Sequence, residues 1–185
     1  MIGDMQKWTP NVAGIIEHAR EIHPKTEVIS RLVSGEIHRT NYEEVCIRSR
    51  KLGSALEKDG VKKGDVVATL ALNTYRHLEM YYGISGMGAI THTLNFRLHP
   101  EQAIYIINHA EDKIIFVELP FVPILEGLQD KLSTVEKYIV LCEQSEMPET
   151  SLKNVISYEE YIKDGDENYD WPELDDDAAC ALCYT

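Results

Sequence analysis

Val66-Val67-Ala68-Thr69-Leu70-Ala71-Leu72 runs for seven residues without a charge and almost without a polar side chain. The run has strand length, and it lacks the alternation that a half-exposed strand would show. It therefore predicts a strand covered on both faces, the condition found in parallel sheets. Parallel neighbours need a crossover connection, usually a helix. The flanking sequence supplies such helices. Thr40 with Glu43 and Glu44 forms a helix start, Tyr42, Val45, Leu52, Ala55 and Leu56 share one face, and Gly60 closes the run. Asn73 or Thr74 caps the next helix, with Leu78, Tyr81, Tyr82 and Ile84 as its apolar side, before Gly86 and Gly88 end it and Ala89–Leu94 forms a strand. Pro100 opens a third helix through Ile104, Ile107 and Asn108, which leads into the strand Ile114–Val117. Phe121–Leu132 reads as helix, Tyr138–Cys142 as strand, Ser157–Ile162 as a short helix and Ala178–Tyr184 as one more buried strand. Strands and helices alternating at this spacing indicate an α/β fold, doubly wound, with a mostly parallel sheet and flanking helices.

Ahead of this unit, Val12, Ile15, Ile16 and Ala19 recur at helical spacing until His23-Pro24, and Glu27–Val33 with Ile37–Arg39 flank the turn Ser34-Gly35-Glu36 as a hairpin. The net charge is −13, and most of it falls between Glu143 and Asp177, where thirteen acidic residues stand against two lysines. That run reads as a solvated acidic connector with a short helix, which divides the chain into an α/β subdomain (1–142), the connector (143–177) and a strand-forming end (178–185). The acidic balance argues against nucleic acid or an anionic membrane surface as the main partner. No window has the length and apolarity of a membrane span, and the first residues carry no secretion signal, so the expected location is cytoplasmic or peripheral at a membrane. Reduced thiols are accordingly expected, with Cys180-Ala-Leu-Cys183 as buried strand cysteines and not a zinc pair.

Several catalytic signatures are absent: the sequence has no G-x-x-x-x-G-K-[ST] loop, no G-x-S-x-G elbow and no H-E-x-x-H pair. The cluster Gly83-Ile84-Ser85-Gly86-Met87-Gly88 ends a helix, so it reads as close packing of helix on sheet and not as a phosphate cradle. Ligands of open α/β sheets bind beyond the carboxyl ends of strands. On that ground Thr91-His92-Thr93-Leu94-Asn95-Phe96-Arg97 supplies the candidate ligand-facing residues His92, Asn95 and Arg97. The alternatives are a His92 that faces no ligand and an Arg97 that pairs with Glu101 or Glu79.

Gly35-Glu36-Ile37-His38-Arg39-Thr40-Asn41-Tyr42, Gly64-Asp65-Val66-Val67-Ala68-Thr69-Leu70, Arg76-His77-Leu78-Glu79, Gly86–Asn95 and Tyr105-Ile106-Ile107-Asn108-His109-Ala110-Glu111-Asp112-Lys113 together resemble the long-chain fatty-acyl-CoA synthetases, in order and wording. These belong to the AMP-forming adenylating enzymes, and the synthetases convert a fatty acid and ATP to an acyl-adenylate and pyrophosphate and then transfer the acyl group to coenzyme A. Cys183-Tyr184-Thr185 is similar to the start of that family's phosphate loop. The resemblance therefore implies that Thr185 contacts ATP or Mg2+, that the chain is an N-terminal piece of a longer enzyme cut at Thr185, and that the piece is inactive alone. It also implies fatty acid, ATP and coenzyme A as partners of the whole enzyme, and a homodimer formed through Met1–Trp8. The competing expectation is a non-enzymatic α/β module that binds a nucleotide or another protein.

Overall fold

The computed structural model describes Gly3 and residues 9–184. Ile2 and Trp8, on which the dimer expectation rests, and Thr185 lie outside the described residues. Helix α1 (Val12–Ile22) and the hairpin of β1 (Glu27–Arg31) and β2 (Ile37–Asn41) precede α2 (Tyr42–Lys58). There follow β3 (Val66–Leu70), α3 (Tyr75–Gly86), β4 (Ile90–Thr93), α4 (Pro100–Ala110), β5 (Ile114–Val117) and α5 (Val122–Leu128). The chain continues through β6 (Lys137–Val140), β7 (Val155–Ser157), α6 (Tyr158–Ile162) and β8 (Ala181–Leu182).

Strands β3 to β8 form one sheet in the order β7-β6-β5-β3-β4-β8, and every pairing in it is parallel. The chain leaves β3 towards β4 and then returns across β3 to β5, so right-handed crossovers place α3 and α4 on opposite faces. Side chains along each strand divide accordingly. Ala68, Leu70, Ile115, Val117, Tyr138 and Val140 pack with α4 and α5, while Val67, Ile114, Phe116, Ile139 and Leu141 pack with α2, α3 and α6. This two-sided burial is why β3 and β5 read as unbroken apolar runs. Each fully buried Leu, Ile or Phe contributes about 1.5–3 kcal/mol of transfer free energy. A smaller cluster of Ile16, Val45 and Cys46 attaches α1 and the hairpin to α2.

Five local details differ from the sequence expectation. The N-cap of α2 is Asn41, whose Oδ1 accepts from Glu44 N at 2.9 Å, while Thr40 belongs to β2. The buried side of α3 is polar as well as apolar: Arg76, His77 and Glu79 are buried, and Tyr81 is exposed. Helix α5 is short and is extended at both ends by 3-10 turns. The glycine cluster serves helix-to-helix and helix-to-strap approach instead of helix-to-sheet packing, since a Cβ at Gly83 would meet Leu52 and one at Gly86 would meet Trp171, each at 2.8 Å. Finally, β8 is a short edge strand, so Cys180 and Cys183 are exposed and not buried.

The 143–177 stretch, expected to be solvated, is instead built into the structure. It supplies β7 at one edge of the sheet and α6, whose Tyr158 and Ile162 are buried in the α2–α3 core. Beyond α6 the chain crosses to β8 at the opposite edge as a strap. Lys58 Nζ donates to Asp164 O at 2.6 Å, Trp171 Nε1 donates to Glu17 Oε1 at 2.8 Å, and Leu174 is buried. High average charge conceals these anchors, because Tyr158, Tyr161, Ile162, Tyr169, Trp171 and Leu174 are interspersed among the acids.

At Gly165 a Cβ would collide with the Lys51 carbonyl, a backbone atom that cannot swing aside. Gly165→Ala is expected to destabilise the fold by about 1–3 kcal/mol, the range for overpacking. Equilibrium urea unfolding measures this, and an unchanged midpoint would show that the strap is not seated as described.

Candidate functional site

All strands of the main sheet run parallel, so their carboxyl ends share one edge, where ligands of such sheets bind. The chain diverges at β3 and β5, leaving β3 towards β4 and β5 towards β6. The crevice at that divergence is closed by a side chain. Glu118, only 4% exposed, accepts from Leu72 N at 3.3 Å through Oε2, and its own N donates to Leu70 O at 2.9 Å. Burial pushes its carboxyl above the ordinary value, opposed by the Leu72 amide and Arg76.

The β6–β7 end of the edge is closed by an ion network. Arg76, in the first turn of α3, donates to Glu159 Oε1 at 2.8 Å, to Leu141 O at 3.4 Å and to Glu143 Oε1 at 3.4 Å. Arg48 on α2 joins two carboxylates: its Nε donates to Glu79 Oε1 at 2.7 Å, and its two terminal nitrogens grip Glu159 at 2.9 and 3.0 Å. Tyr158 OH donates to the other oxygen of Glu79 at 2.9 Å. Complete burial pushes Glu79 upward against the pull of Arg48 and Tyr158. Glu159 is also desolvated, but its bonds to Arg48 and Arg76 prevail and hold it below its ordinary value. This arrangement fastens α6 to α2 and α3.

What remains open is the β4–β8 end. Asn95 and Arg97 are both exposed there, and Asn95 Oδ1 accepts from Arg97 N at 2.9 Å, which forms the turn that leaves β4. Arg97 makes no ion pair among the described residues, so neither Glu101 nor Glu79 is its partner. Its guanidinium lies 5.3 Å from the Phe96 ring centroid, and Phe96 stacks on Phe121 at 5.0 Å. The result is a cation held on an aromatic shelf at the sheet edge.

His92 occupies a different position from these two. It is fully buried, its Nδ1 is 2.8 Å from Asp112 Oδ2, and its Nε2 and Asp112 Oδ1 have no partner among the described residues. Burial raises Asp112 against the opposing effect of His92. Tyr184 covers the pair, with its ring centroid 5.2 Å from that of His92 and its hydroxyl 2.6 Å from His109 Nδ1. His92, Asn95 and Arg97 therefore do not share one surface: two are exposed on the loop, while the histidine lies beneath Tyr184. Sequence reasoning missed Asp112, His109 and Tyr184 as members of this group. The only signal was the short His109-Ala-Glu-Asp112 segment, whose spacing carries no chemistry by itself.

Among the described residues no group of three or more His, Cys, Asp or Glu side chains is arranged to hold a metal ion, and no helix is long and apolar enough to cross a membrane. Thr185, the expected ATP and Mg2+ contact, lies outside them. The described residues thus offer no donor set for Mg2+.

A family profile described as AMP-binding enzyme matches residues 16–185. The chain is 40% identical over 185 residues to a 3-methylmercaptopropionyl-CoA ligase of Ruegeria pomeroyi, covering all of this chain and 34% of that protein. It is 41% identical over 175 residues to a long-chain-fatty-acid–CoA ligase of Thermus thermophilus, covering 95% of this chain and 31% of that one. A crystal structure of an anthranilate-CoA ligase in complex with anthranoyl-AMP superposes with a TM-score of 0.85 at 20% identity, over all of this chain and 34% of the other, which shows the fold. The chain spans about a third of the length of the relatives it matches.

Two stability predictions follow from the ion network. Arg48→Met leaves Glu79 buried without its cation and is expected to cost about 3–5 kcal/mol, most of which Arg48→Met combined with Glu79→Leu should restore. Chemical denaturation of both variants tests this, and equal losses in the two would remove the pairing argument. Because the folded-state pKa of Glu159 is depressed, its contribution is complete above its ordinary value of 4.5 and is lost as pH falls through the lower folded value. Melting curves of Glu159→Gln and wild type should therefore converge below pH 4.5. A constant gap at every pH would contradict the depressed value.

Proposed function

The chain belongs to the AMP-binding enzyme family, and from that premise we propose that it is the N-terminal part of an ATP-dependent, AMP-forming acyl-CoA synthetase acting on fatty acids. The observation that supports this most directly is the course of β8. Its ladder with β4 brings Cys183 and Tyr184, the residues that precede Thr185 in sequence, to the carboxyl edge from which the exposed Asn95-Phe96-Arg97 loop also departs. That edge is where a nucleotide would meet its acid substrate in a parallel sheet.

In the proposed reaction a carboxylate oxygen attacks the α-phosphorus of ATP, the bond to pyrophosphate breaks, and an acyl-adenylate forms. The thiol of coenzyme A then displaces AMP from the acyl carbon. Both steps concentrate negative charge, so positioned donors and cations are their main requirement. Thr185 is assigned to the triphosphate or its Mg2+, and Arg97 provides a cation without a carboxylate partner among the described residues at the carboxyl edge. His92 takes the role of a buried support and not of a contact to the acid. An alkyl chain would be recognised by burying methylenes at about 0.8 kcal/mol each. The relatives' names attach different acids to similar chains, a sulfur-containing short acid in one and a long-chain acid in the other. The fatty-acid assignment is the narrower part of the proposal.

The test uses two proteins, the polypeptide 1–185 and the product of the longer reading frame, assayed for acid-dependent pyrophosphate release with straight-chain acids of increasing length and a methylthio short acid. The longer protein should release pyrophosphate and the 185-residue chain should not. Release that peaks with the short acid would overturn the fatty-acid assignment. Saturable ATP binding by the 185-residue chain alone, with no acid-dependent turnover in the longer protein, would favour a nucleotide-binding module over an enzyme.

A further inference from the structure

The end of β8 is lightly attached. Its ladder with β4 comprises Ala181 and Leu182, reinforced by Thr91 N to Cys180 O at 3.0 Å and Ser85 Oγ to Cys180 O at 2.7 Å. Ala179, Cys180, Ala181 and Cys183 are all exposed. Past Leu182, the described side-chain contacts are a 3.7 Å approach of Cys183 Sγ to Thr93 Oγ1 and those of Tyr184.

Tyr184 is held far more firmly than its neighbours. Its ring lies over His92 with centroids 5.2 Å apart and planes inclined at 42°, and edge-on to His109 at 5.9 Å. Its hydroxyl is bonded to His109 Nδ1 at 2.6 Å, and His109 is stacked on Tyr105 at 5.3 Å on the same helix. Beneath it, the 2.8 Å bond to Asp112 fixes the His92 ring. The His92 Nε2 and Asp112 Oδ1 atoms are buried without a described partner, a costly arrangement that an apolar core residue would have avoided. The group thus spans β4, α4 and the turn between α4 and β5, and converges on the residue immediately before Thr185.

We propose that Tyr184, seated on the His92–Asp112 pair and bonded to His109, is a positioning residue that sets the course of the segment beginning at Thr185, and so governs how tightly the nucleotide is held. This rests on the assignment of that segment to the triphosphate. A tyrosine supplies what the place requires: a flat ring to cover the histidine and a hydroxyl to reach α4. Tyr184→Phe keeps the first and loses the second, Tyr184→Ala loses both, and His109→Ala removes the hydroxyl's partner together with its edge-on ring contact.

These three variants, the double variant of Tyr184→Phe with His109→Ala, and wild type are compared in the product of the longer reading frame by two readouts: KM for ATP against KM for the acid, and amide hydrogen exchange of the peptide that starts at Leu182. Tyr184→Ala is expected to raise the KM for ATP by about tenfold, which corresponds to about 1.4 kcal/mol. The KM for the acid should stay within about twofold, and exchange after Leu182 should accelerate. Tyr184→Phe and His109→Ala should each have a smaller effect of about two- to fivefold, and the double variant should show less than the product of the two, because both break the same hydroxyl bond. Equal rises in both KM values, a loss that tracks only the folded fraction, or unchanged exchange in Tyr184→Ala would overturn the proposal. Accelerated exchange in a protein that never releases pyrophosphate would instead retain the anchor and discard the adenylating reaction.

Discussion

Parallel pairing forces two consequences on this chain that an antiparallel sheet would not. Each strand must be covered on both faces, because the crossover helices lie there, and every strand must end at the same edge. The first consequence produces the two cores that share β3, β5 and β6, with alternate residues serving α4–α5 and α2–α3–α6. The second gathers the exits of β3, β4, β5, β6 and β7, together with Cys183 and Tyr184 after β8, along one side of the sheet. Function in such a fold depends on which parts of that side are filled by the protein itself and which are left open.

Here the filling is uneven. Glu118 occupies the crevice between β3 and β5, and Arg76 with Glu143 and Glu159 covers the exit of β6. Burying the charges of the arginine network is tolerable because they are matched: Glu79 meets Arg48 and Tyr158, and Glu159 meets both arginines. Such a network does little for net stability compared with an apolar replacement, but it is intolerant of the loss of one member. Its geometric effect is clearer, since it ties α6, a product of the acidic segment, to two helices more than a hundred positions closer to the N-terminus in one case and about eighty in the other. The open stretch of the edge is consequently the β4–β8 end, where Asn95 and Arg97 are exposed.

The parts of the fold legible in the sequence were those governed by local rules. Ile114–Val117 matches β5 residue for residue, Gly35 adopts φ +89° in the hairpin turn, and Ser157 caps α6 as its type and position suggest. Long-range choices were not legible. Ala178–Tyr184 is as apolar as Val66–Leu72, yet one is an exposed edge and the other a central strand, because exposure depends on sheet order and not on composition. Glu79 reads as the solvent side of a helix until Arg48 and Tyr158 are brought to it. Of the candidate site residues, Asn95 and Arg97 fell where a strand exit places them, whereas the burial of His92 followed from Asp112 and Tyr184, neither of which is close to it in sequence.

The strap joins the two edges of the sheet, and its length shows what determines its path. Strands about 4.8 Å apart put roughly 24 Å between the first and last of six. Residues 164–180 could reach more than twice that distance if extended, at about 3.3 Å each. Tension therefore cannot be what guides it. Specific docking does so: Trp171 lies against Gly53 and Gly86, where a Cβ would come within 3.1 and 2.8 Å of its ring, and its indole nitrogen is bonded to Glu17, which Arg50 also holds. Burial alone would raise Glu17, but these bonds outweigh it and keep the carboxylate charged. The strap thereby delivers β8 to β4 from one side, and Tyr184 secures the chain on the other. Two short strand residues are left between two side-chain anchors, an arrangement in which the direction of the chain beyond Leu182 is determined by packing on α4 more than by the sheet.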